Sequence, residues 1–153
     1  MAIFYETGGI SFPNIKRRDT TRWINKVIDR LNKKPGRITY IFCSDKEILR
    51  INQVYLNHDY YTDIITFDYT EGDSIAGDLF ISLETVKTNS EKFKTGYGEE
   101  LRRVMIHGIL HLCGFDDKTA KEKKIMREKE EEALDLFETI VLPSLRAQRS
   151  NQL

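Results

Sequence analysis

The sequence predicts an α+β fold: a single domain in which a small mixed sheet of about four strands is packed with about five helices. The chain has 153 residues, of which 40% are hydrophobic, and this length and composition suit one domain with one core. Helical and strand patterns follow one another without strict alternation, which favours the α+β class. No internal repeat, linker or low-complexity segment divides the sequence, so we expect residues 1–153 to form one domain.

The first half of the chain contains patterns of both kinds. Apolar residues at helical spacing follow Thr20 and Thr21, which we expect to cap the first helix. The segment RITYIFC is rich in β-formers. Ser44 precedes Glu47 by three residues, which is a capping-box signature. The predicted elements are a strand at 3–6, a helix at 20–34 ended by Lys-Pro-Gly, a strand at 37–43 and a helix at 45–56.

The second half is predicted to form two strands and three helices. The strands are at 64–69 and 77–82, joined by a turn-rich segment, and the helices are at 83–94, 99–111 and 120–137. Gly114 is expected to end the second of these helices, because glycine readily adopts the left-handed conformation. The alternating charges of the last helix predict a solvated face. Its inward residues are expected to be Ile125, Met126, Ala133, Leu134 and Phe137.

The charge and cysteine content exclude several classes of protein. Basic and acidic side chains balance at 24 each, which argues against a strongly cationic nucleic-acid coat. No apolar run approaches the ~18 residues of a membrane span, and the N-terminus lacks a signal-peptide pattern, so we expect no membrane partner. Cys43 and Cys113 form no CxxC pair. We expect both to be small buried hydrophobes in a reducing, cytoplasmic setting.

Two of the three histidines, His107 and His111, lie four residues apart in an apolar run. On a helix such residues are rotated by about 40° and displaced by about 6 Å, so both imidazoles reach one ion. The break at Gly114 lets the chain turn back and bring Asp116 or Asp117 toward the same ion. The alternative is a buried, hydrogen-bonded histidine pair without a metal. The glycine break and the acidic pair favour the metal site.

Such a site is more typical of a catalytic metal than of a structural one. Three protein ligands with an open fourth position describe a catalytic zinc, and two cysteines with three histidines make a closed Cys/His site hard to assemble. The spacing H-x-x-x-H-x-x-G-x-x-D resembles the metzincin protease pattern, in which a glutamate follows the first histidine. Gly108 occupies that position here and cannot accept a proton, so peptide hydrolysis in that manner is disfavoured.

The segment HGILHLCGFDD, residues 107–117, is similar to the metal motif of the YbeY endoribonucleases, which are bacterial ribosomal-RNA maturation factors. That motif is roughly H-G-x-L-H-L-x-G-Y-D-H, so Phe115 replaces a tyrosine and Asp117 replaces the third zinc-binding histidine. INQVYLNHDYYTDIITFDY resembles the family stretch L-N-x-x-Y-R-x-x-D-x-P-T-D-V-L-S-F, and GDLFIS resembles G-D-I-x-I-S. The resemblance covers about residues 45–117.

The resemblance implies that His107 and His111 bind one Zn²⁺ per chain and that Asp117 takes the third ligand position. An aspartate oxygen is an acceptable zinc ligand. It makes the site one charge more negative and the metal a weaker Lewis acid, and it admits other divalent ions. Asp116 matches the aspartate before the family's third ligand, so we expect it to orient the ligands or cap the helix.

A second departure from the family pattern lies at Leu56, where the family carries an arginine that is associated with phosphate handling. Leucine cannot provide the hydrogen-bonding fork of a guanidinium group. His58 is the nearby candidate to replace it, by hydrogen bonding or by proton transfer to a phosphate, and is our predicted catalytic residue. The alternative is an exposed loop histidine without a function.

The resemblance implies a metal-dependent endoribonuclease that cleaves single-stranded RNA in the cytoplasm, in 3′-end maturation of small-subunit rRNA and in ribosome quality control. Its expected partners are ribosomal RNA and the ribosome or ribosome-associated proteins. The alternatives are a non-catalytic metal-binding assembly factor and a metallopeptidase-like hydrolase. Single-stranded RNA requires cations and stacking surfaces. The candidates for these are Lys16, Arg17, Arg18, Arg102, Arg103 and Lys118, and Tyr55, Tyr60 and Tyr61.

Overall fold

The computed structural model describes residues 3–56 and 62–141. Within these residues the chain forms four strands and five helices, as the sequence predicts. The strands are β1 (Ile3–Thr7), β2 (Lys34–Cys43), β3 (Ile64–Asp68) and β4 (Ser74–Ser82). The helices are α1 (Arg17–Arg30), α2 (Asp45–Tyr55), α3 (Leu83–Lys92), α4 (Tyr97–Leu112) and α5 (Ala120–Val141). None of the helices in these ranges is both long and apolar enough to cross a membrane.

One mixed sheet with the strand order β1-β2-β4-β3 forms the centre of the fold. β1 and β4 both run parallel to β2, and α1 provides the crossover between β1 and β2. β3 runs antiparallel to β4 and joins it through a short turn. The α+β prediction is therefore confirmed, and β1 and β3 are the two edge strands.

Two apolar clusters cover the two faces of the sheet. On β3, Ile64 packs against the larger cluster and Ile65 belongs to the smaller one, because successive side chains of a strand point to opposite faces. The larger cluster joins α1, α4 and α5 to the sheet and includes the fully buried Trp23. The indole N–H of Trp23 donates to the carbonyl oxygen of Ala133 at 2.7 Å, which fastens α5 to α1. α2 covers the smaller cluster.

α1 begins and ends earlier than the sequence predicts, with Lys16 as its N-cap. The predicted capping role of Thr20 and Thr21 is wrong, because both lie inside the helix and have other partners. The N–H of Thr20 donates to the carbonyl of Lys16 at 2.9 Å, and the hydroxyl of Thr21 lies 2.7 Å from that of Tyr5 on β1. The helix stops before Asn32, whose φ of 59° is a left-handed conformation that asparagine tolerates.

Residues 34–36, predicted to be a break, belong to β2. Pro35 pairs in register with Ile75 near the start of β4, and a proline is accepted near the beginning of a strand, where few ladder bonds are lost. β4 accordingly starts at Ser74, within the segment predicted to be a turn. Both corrections arise from strand pairing between segments that are far apart in the chain.

The cap of α2 and the burial of the cysteines agree with the sequence. The Oγ of Ser44 accepts the N–H of Glu47 at 3.2 Å. Cys43 is fully buried and Cys113 half-buried, and both are free thiols. Burial raises the pKa of Cys43 to about 12 and that of Cys113 to about 11. Both thiols therefore stay protonated near neutral pH, as expected of cysteines that act as small hydrophobes.

Candidate metal centre

α4 ends in a glycine turn directly after the two histidines. Gly114 has a φ of 101°, and its N–H donates to the carbonyl of His111 at 3.0 Å. The N–H of Phe115 donates to the carbonyl of Leu110, also at 3.0 Å. This pair of bonds is a Schellman motif, for which glycine supplies the left-handed residue. The predicted role of Gly114 is confirmed, and the turn brings Asp117 back toward α4.

The side chains of His107, His111 and Asp117 converge. The two imidazole rings have centroids 4.6 Å apart and are inclined at 83° to each other. Oδ2 of Asp117 is 3.3 Å from Nε2 of His107 and 3.6 Å from Nε2 of His111. All three residues are half-buried, so their polar atoms meet at the wall of a surface cleft rather than inside the core.

The spacing of these three atoms fits a single metal ion. One ligand atom from each residue lies within 4.8 Å of the other two. Donor atoms around a tetrahedral zinc with bonds of ~2.1 Å are about 3.4 Å apart, which agrees with the 3.3 and 3.6 Å separations from Asp117. Two imidazole nitrogens and one carboxylate oxygen are also donors that zinc accepts, with a fourth position left for water or substrate.

A buried carboxylate that was not predicted contacts His107. Oε2 of Glu130, on α5, lies 2.7 Å from Nδ1 of His107, and Glu130 is only 7% exposed. The charged residues of α5 were expected to face solvent. Glu130 does not, because it shares a helical stripe with the buried Met126 and Leu134. The sequence contains a signal for this burial, because Glu130 lies four residues from an apolar position on either side.

Arg103 holds the other oxygen of Glu130. Its Nη1 donates to Oε1 of Glu130 at 3.0 Å, and its Nη2 donates to Oε1 of Glu131 at 2.6 Å. The Arg103 side chain is only 16% exposed. The prediction that Arg103 contacts RNA is wrong, because carboxylates of α5 engage both of its terminal nitrogens.

The charges around the cleft favour a cation at His107. Burial disfavours the imidazolium, but the hydrogen bond that Nδ1–H of His107 donates to Glu130 and the negative charges of Glu130, Asp117 and Asp63 outweigh burial and raise the pKa of His107. Burial has the opposite effect on a carboxyl group, and it raises the pKa of Asp63 against the lowering effect of His107. A metal ion and a proton compete for the same imidazole nitrogen, so this field attracts either of them.

The converging side chains lie in a cleft of about 600 Å³. The end of α2 contributes Asn52 and Leu56, and the turn after α4 contributes Asp116 and Lys118. The segment that leads into and forms β3 contributes Thr62, Asp63, Ile64, Ile65, Thr66 and Asp68. Leu56 therefore faces the cleft where the family pattern has its arginine. Asp116 is exposed, whereas the buried Glu130 contacts Nδ1 of His107 on the side away from Asp117.

One of the predicted RNA-binding cations, Lys118, lines this cleft. Lys16 and Arg102 line a different cavity between α1, α4 and α5, where the Arg102 guanidinium stacks on Phe137 at 4.2 Å. Arg17 and Arg18 line a third depression beside β1. The structure therefore does not gather these four cations around the histidines.

The predicted stacking residues are only partly described. Tyr55 is exposed and lies edge-on to Phe67, with ring centroids 6.1 Å apart. It lines a groove with Tyr69 and Phe80, separate from the cleft that contains the histidines. The remaining predicted residues, the catalytic candidate His58 and the candidate stacking residues Tyr60 and Tyr61, lie outside the described residues.

Comparisons with known proteins identify the family of this chain. A family model described as Endoribonuclease YbeY matches residues 10–138. A Bacteroides fragilis protein named Endoribonuclease YbeY is 62% identical over 88% of this chain and 96% of its own length. A relative of the same name from Bacteroides thetaiotaomicron is 58% identical over 88% of this chain and 98% of its own length. Another, from Porphyromonas gingivalis, is 51% identical over 87% of this chain and 88% of its own length.

The fold also matches a solved structure. The solution structure of TM1509 from Thermotoga maritima superimposes with a TM-score of 0.67 at 25% sequence identity, covering 98% of this chain and 93% of that chain. The family model covers most of the chain, and the relatives far exceed the identity at which common ancestry is secure. The chain belongs to the endoribonuclease YbeY family.

Proposed function

We propose that this YbeY-family endoribonuclease is zinc-dependent and cleaves single-stranded RNA in the cleft beside α4. The observation that carries the proposal is the convergence of His107, His111 and Asp117, whose ligand atoms all lie within 4.8 Å of one another. We assign these three residues as the metal ligands. The family match supports RNA as the substrate.

A divalent ion held by these residues would polarise a phosphoryl oxygen of the RNA and would lower the pKa of a water molecule. His107 and His111 present Nε2 to it, since both atoms face Oδ2 of Asp117. Asp117 adds a hard, anionic ligand, which widens the choice of divalent ion beyond zinc. Asp63, half-buried in the same cleft with a raised pKa, is placed to hold a proton at a higher pH than an ordinary aspartate.

The charge of the cleft makes RNA binding depend on a bound divalent ion. Its described lining includes one lysine, Lys118, and four aspartates. The four are Asp63, Asp68, Asp116 and Asp117. A polyanion is repelled by this lining unless a divalent ion offsets it. We propose that Lys118 contacts a phosphate and that His58 takes over part of the role of the family's arginine, whose position is held by Leu56.

We further propose that the protein works in the cytoplasm on the 3′ end of small-subunit rRNA and in ribosome quality control, with the ribosome or its associated proteins as partners. The whole chain, residues 1–153, would act as one domain. The family match supports a role in rRNA processing. The balanced charge of 24 basic and 24 acidic side chains favours recruitment by a specific partner over non-specific attraction to RNA.

The test measures RNA cleavage and metal content on the same samples. Chelation should abolish cleavage of a single-stranded oligonucleotide, and added Zn²⁺ should restore it, while a duplex of the same sequence stays intact. His111→Ala should lose both metal and cleavage. His58→Ala, the matched histidine control, should slow cleavage and keep its metal.

Each result has a distinct consequence. Cleavage that survives both chelation and His111→Ala would overturn the metal mechanism, and unchanged cleavage in His58→Ala would remove His58 from it. A protein that binds one zinc per chain but leaves ribosomal RNA intact would be the non-catalytic assembly factor instead.

A further inference from the structure

Glu130 is a buried carboxylate with both oxygens engaged. Oε1 accepts from Nη1 of Arg103 at 3.0 Å, and Oε2 lies 2.7 Å from Nδ1 of His107. The side chain is only 9% exposed. Arg103 and His107 are one turn apart on α4, which carries two of the candidate metal ligands. Glu130 of α5 therefore contacts two successive turns of that helix.

The chemistry of these contacts determines where the proton of a neutral His107 sits. An ionised carboxylate only accepts hydrogen bonds, and a neutral imidazole carries one N–H and one bare nitrogen. Nδ1 of His107 faces the carboxylate and must therefore carry the hydrogen. The lone pair is then on Nε2, which is the nitrogen that lies 3.3 Å from Oδ2 of Asp117.

We propose that Glu130 is a positioning residue, which selects the Nδ1–H tautomer of His107 and fixes its ring so that the Nε2 lone pair points at the metal position. Arg103 in turn fixes Glu130 by occupying its second oxygen. Carboxylates behind metal-binding histidines typically have this effect on ring orientation and basicity. This inference rests on the proposed metal-dependent function, and it adds a residue from α5 to that site.

Packing alone does not explain a glutamate at this position. Glu130 lies on the apolar stripe of α5 with the buried residues Met126, Ala133 and Leu134. Desolvating a carboxylate and a guanidinium is costly, and well-packed apolar residues often serve stability equally well or better. Glu131 gives Arg103 a second carboxylate from an exposed position, so Arg103 has an ionic partner without Glu130. The contact that Glu130 alone provides is the one to His107.

The test compares Glu130→Gln with Glu131→Gln, two isosteric changes next to the same arginine. In Glu130→Gln, Nη1 of Arg103 still points at residue 130 and can only donate. The amide oxygen should therefore face Arg103, and the amide NH₂ should face Nδ1 of His107. Nδ1 must then accept, and the proton moves to Nε2. ¹⁵N NMR of the metal-free proteins, recorded at a pH high enough that the His107 ring is neutral in each of them, reports the tautomer directly.

We expect metal-free wild type and Glu131→Gln to show the Nδ1–H tautomer of His107, and Glu130→Gln to show the Nε2–H tautomer. Zinc titration should give a dissociation constant raised about 10–100-fold in Glu130→Gln and changed less than about twofold in Glu131→Gln, which removes only an exposed ion pair. Circular dichroism of the metal-free variants confirms that both are folded.

An Nε2–H tautomer in metal-free wild type would overturn the inference even if Glu130→Gln failed to fold. Equal zinc affinity of the two variants would overturn it as well. If wild type binds no metal at all, the proposed function fails, whereas the tautomer measurement on metal-free protein still decides the role of Glu130. The two failures are therefore distinguishable.

Discussion

Gly108 lies directly against Leu79 at the contact between α4 and the sheet. A Cβ atom on Gly108 would come within 2.9 Å of Cδ2 of Leu79 and within 2.9 Å of Cδ1 of Ile64. Position 108 therefore faces β4 and β3, although its neighbour His107 faces the cleft. In the metzincin pattern this position carries the catalytic glutamate. Here the same position serves close helix–sheet packing, which removes the support for a peptidase.

We predict that Gly108→Glu strongly destabilises the protein and creates no peptidase. The new carboxylate would be pressed into the apolar contact with Leu79 without a partner, which should cost more than about 3 kcal/mol of unfolding free energy. Gly98→Glu is the matched control, because Gly98 is exposed in the first turn of the same helix, where an acidic residue is favourable. Denaturant titration of both variants tests this. A Gly108→Glu protein as stable as Gly98→Glu would contradict the packing argument.

The third ligand is tested by removing each of the two neighbouring aspartates. Oδ2 of Asp117 lies 3.3 Å from Nε2 of His107, whereas Asp116 is exposed at the rim of the cleft. Asp117→Ala should weaken zinc binding by well over the ~10–100-fold that is typical of residues behind the ligands, and Asp116→Ala should weaken it less. Calorimetric zinc titrations of the two variants give the order, and the reverse order would make Asp116 the ligand.

Features that depend on neighbouring residues were predictable from the sequence. Ser44 begins α2, and Gly114 ends α4, because a cap or a left-handed turn is satisfied within a few residues of the chain. His107 and His111 share a helix face for the same local reason. The order of the strands and the union of α2, β3 and α4 around one cleft were not accessible in this way.

Several of the failed predictions involve contacts between distant segments, although the early end of α1 before Asn32 and the exposure of Ile125, which was expected to face inward, do not. Pro35 is part of β2 because Ile75 pairs with it. Thr21 lies inside α1, which begins at Arg17, and its hydroxyl contacts that of Tyr5 on β1. Glu130 was assigned to the solvated face of α5 since its neighbours in sequence are charged. Its position on the apolar stripe shows that it is buried, but only the packing of α5 on α4 shows that its partner is His107.

The raised pKa of His107 predicts opposite pH dependences with and without metal. Its folded-state pKa lies above the ordinary value of about 6.5. In the metal-free protein the resulting stabilisation is fully present below about pH 6.5 and is lost as the pH rises through the raised pKa. Stabilisation by zinc should increase with pH over the same window, because a metal-bound imidazole must be deprotonated.

Thermal unfolding between about pH 6 and about pH 8.5, with chelator and with zinc, measures both trends. His107→Gln should flatten the metal-free trend relative to wild type and should remove the stabilisation by zinc. If metal-free wild type gains stability with pH more steeply than His107→Gln does, the sign of the shift at His107 is wrong.

Leu56 offers a gain-of-function test of the cleft. It ends α2, is 39% exposed and lines the same cleft as His107 and His111. An arginine at this position would line the cleft in which we propose that RNA binds. A charge-assisted hydrogen bond contributes about 1.5–3 kcal/mol, so Leu56→Arg should raise kcat/KM for single-stranded RNA by about tenfold or more.

Val54→Arg adds the same charge as a control. Val54 is on the same helix, is 62% exposed and lies outside the described lining of the cleft. Its effect should be small and should disappear at high salt. Equal acceleration by the two variants would mean that general attraction of RNA, rather than a phosphate contact in the cleft, limits the reaction.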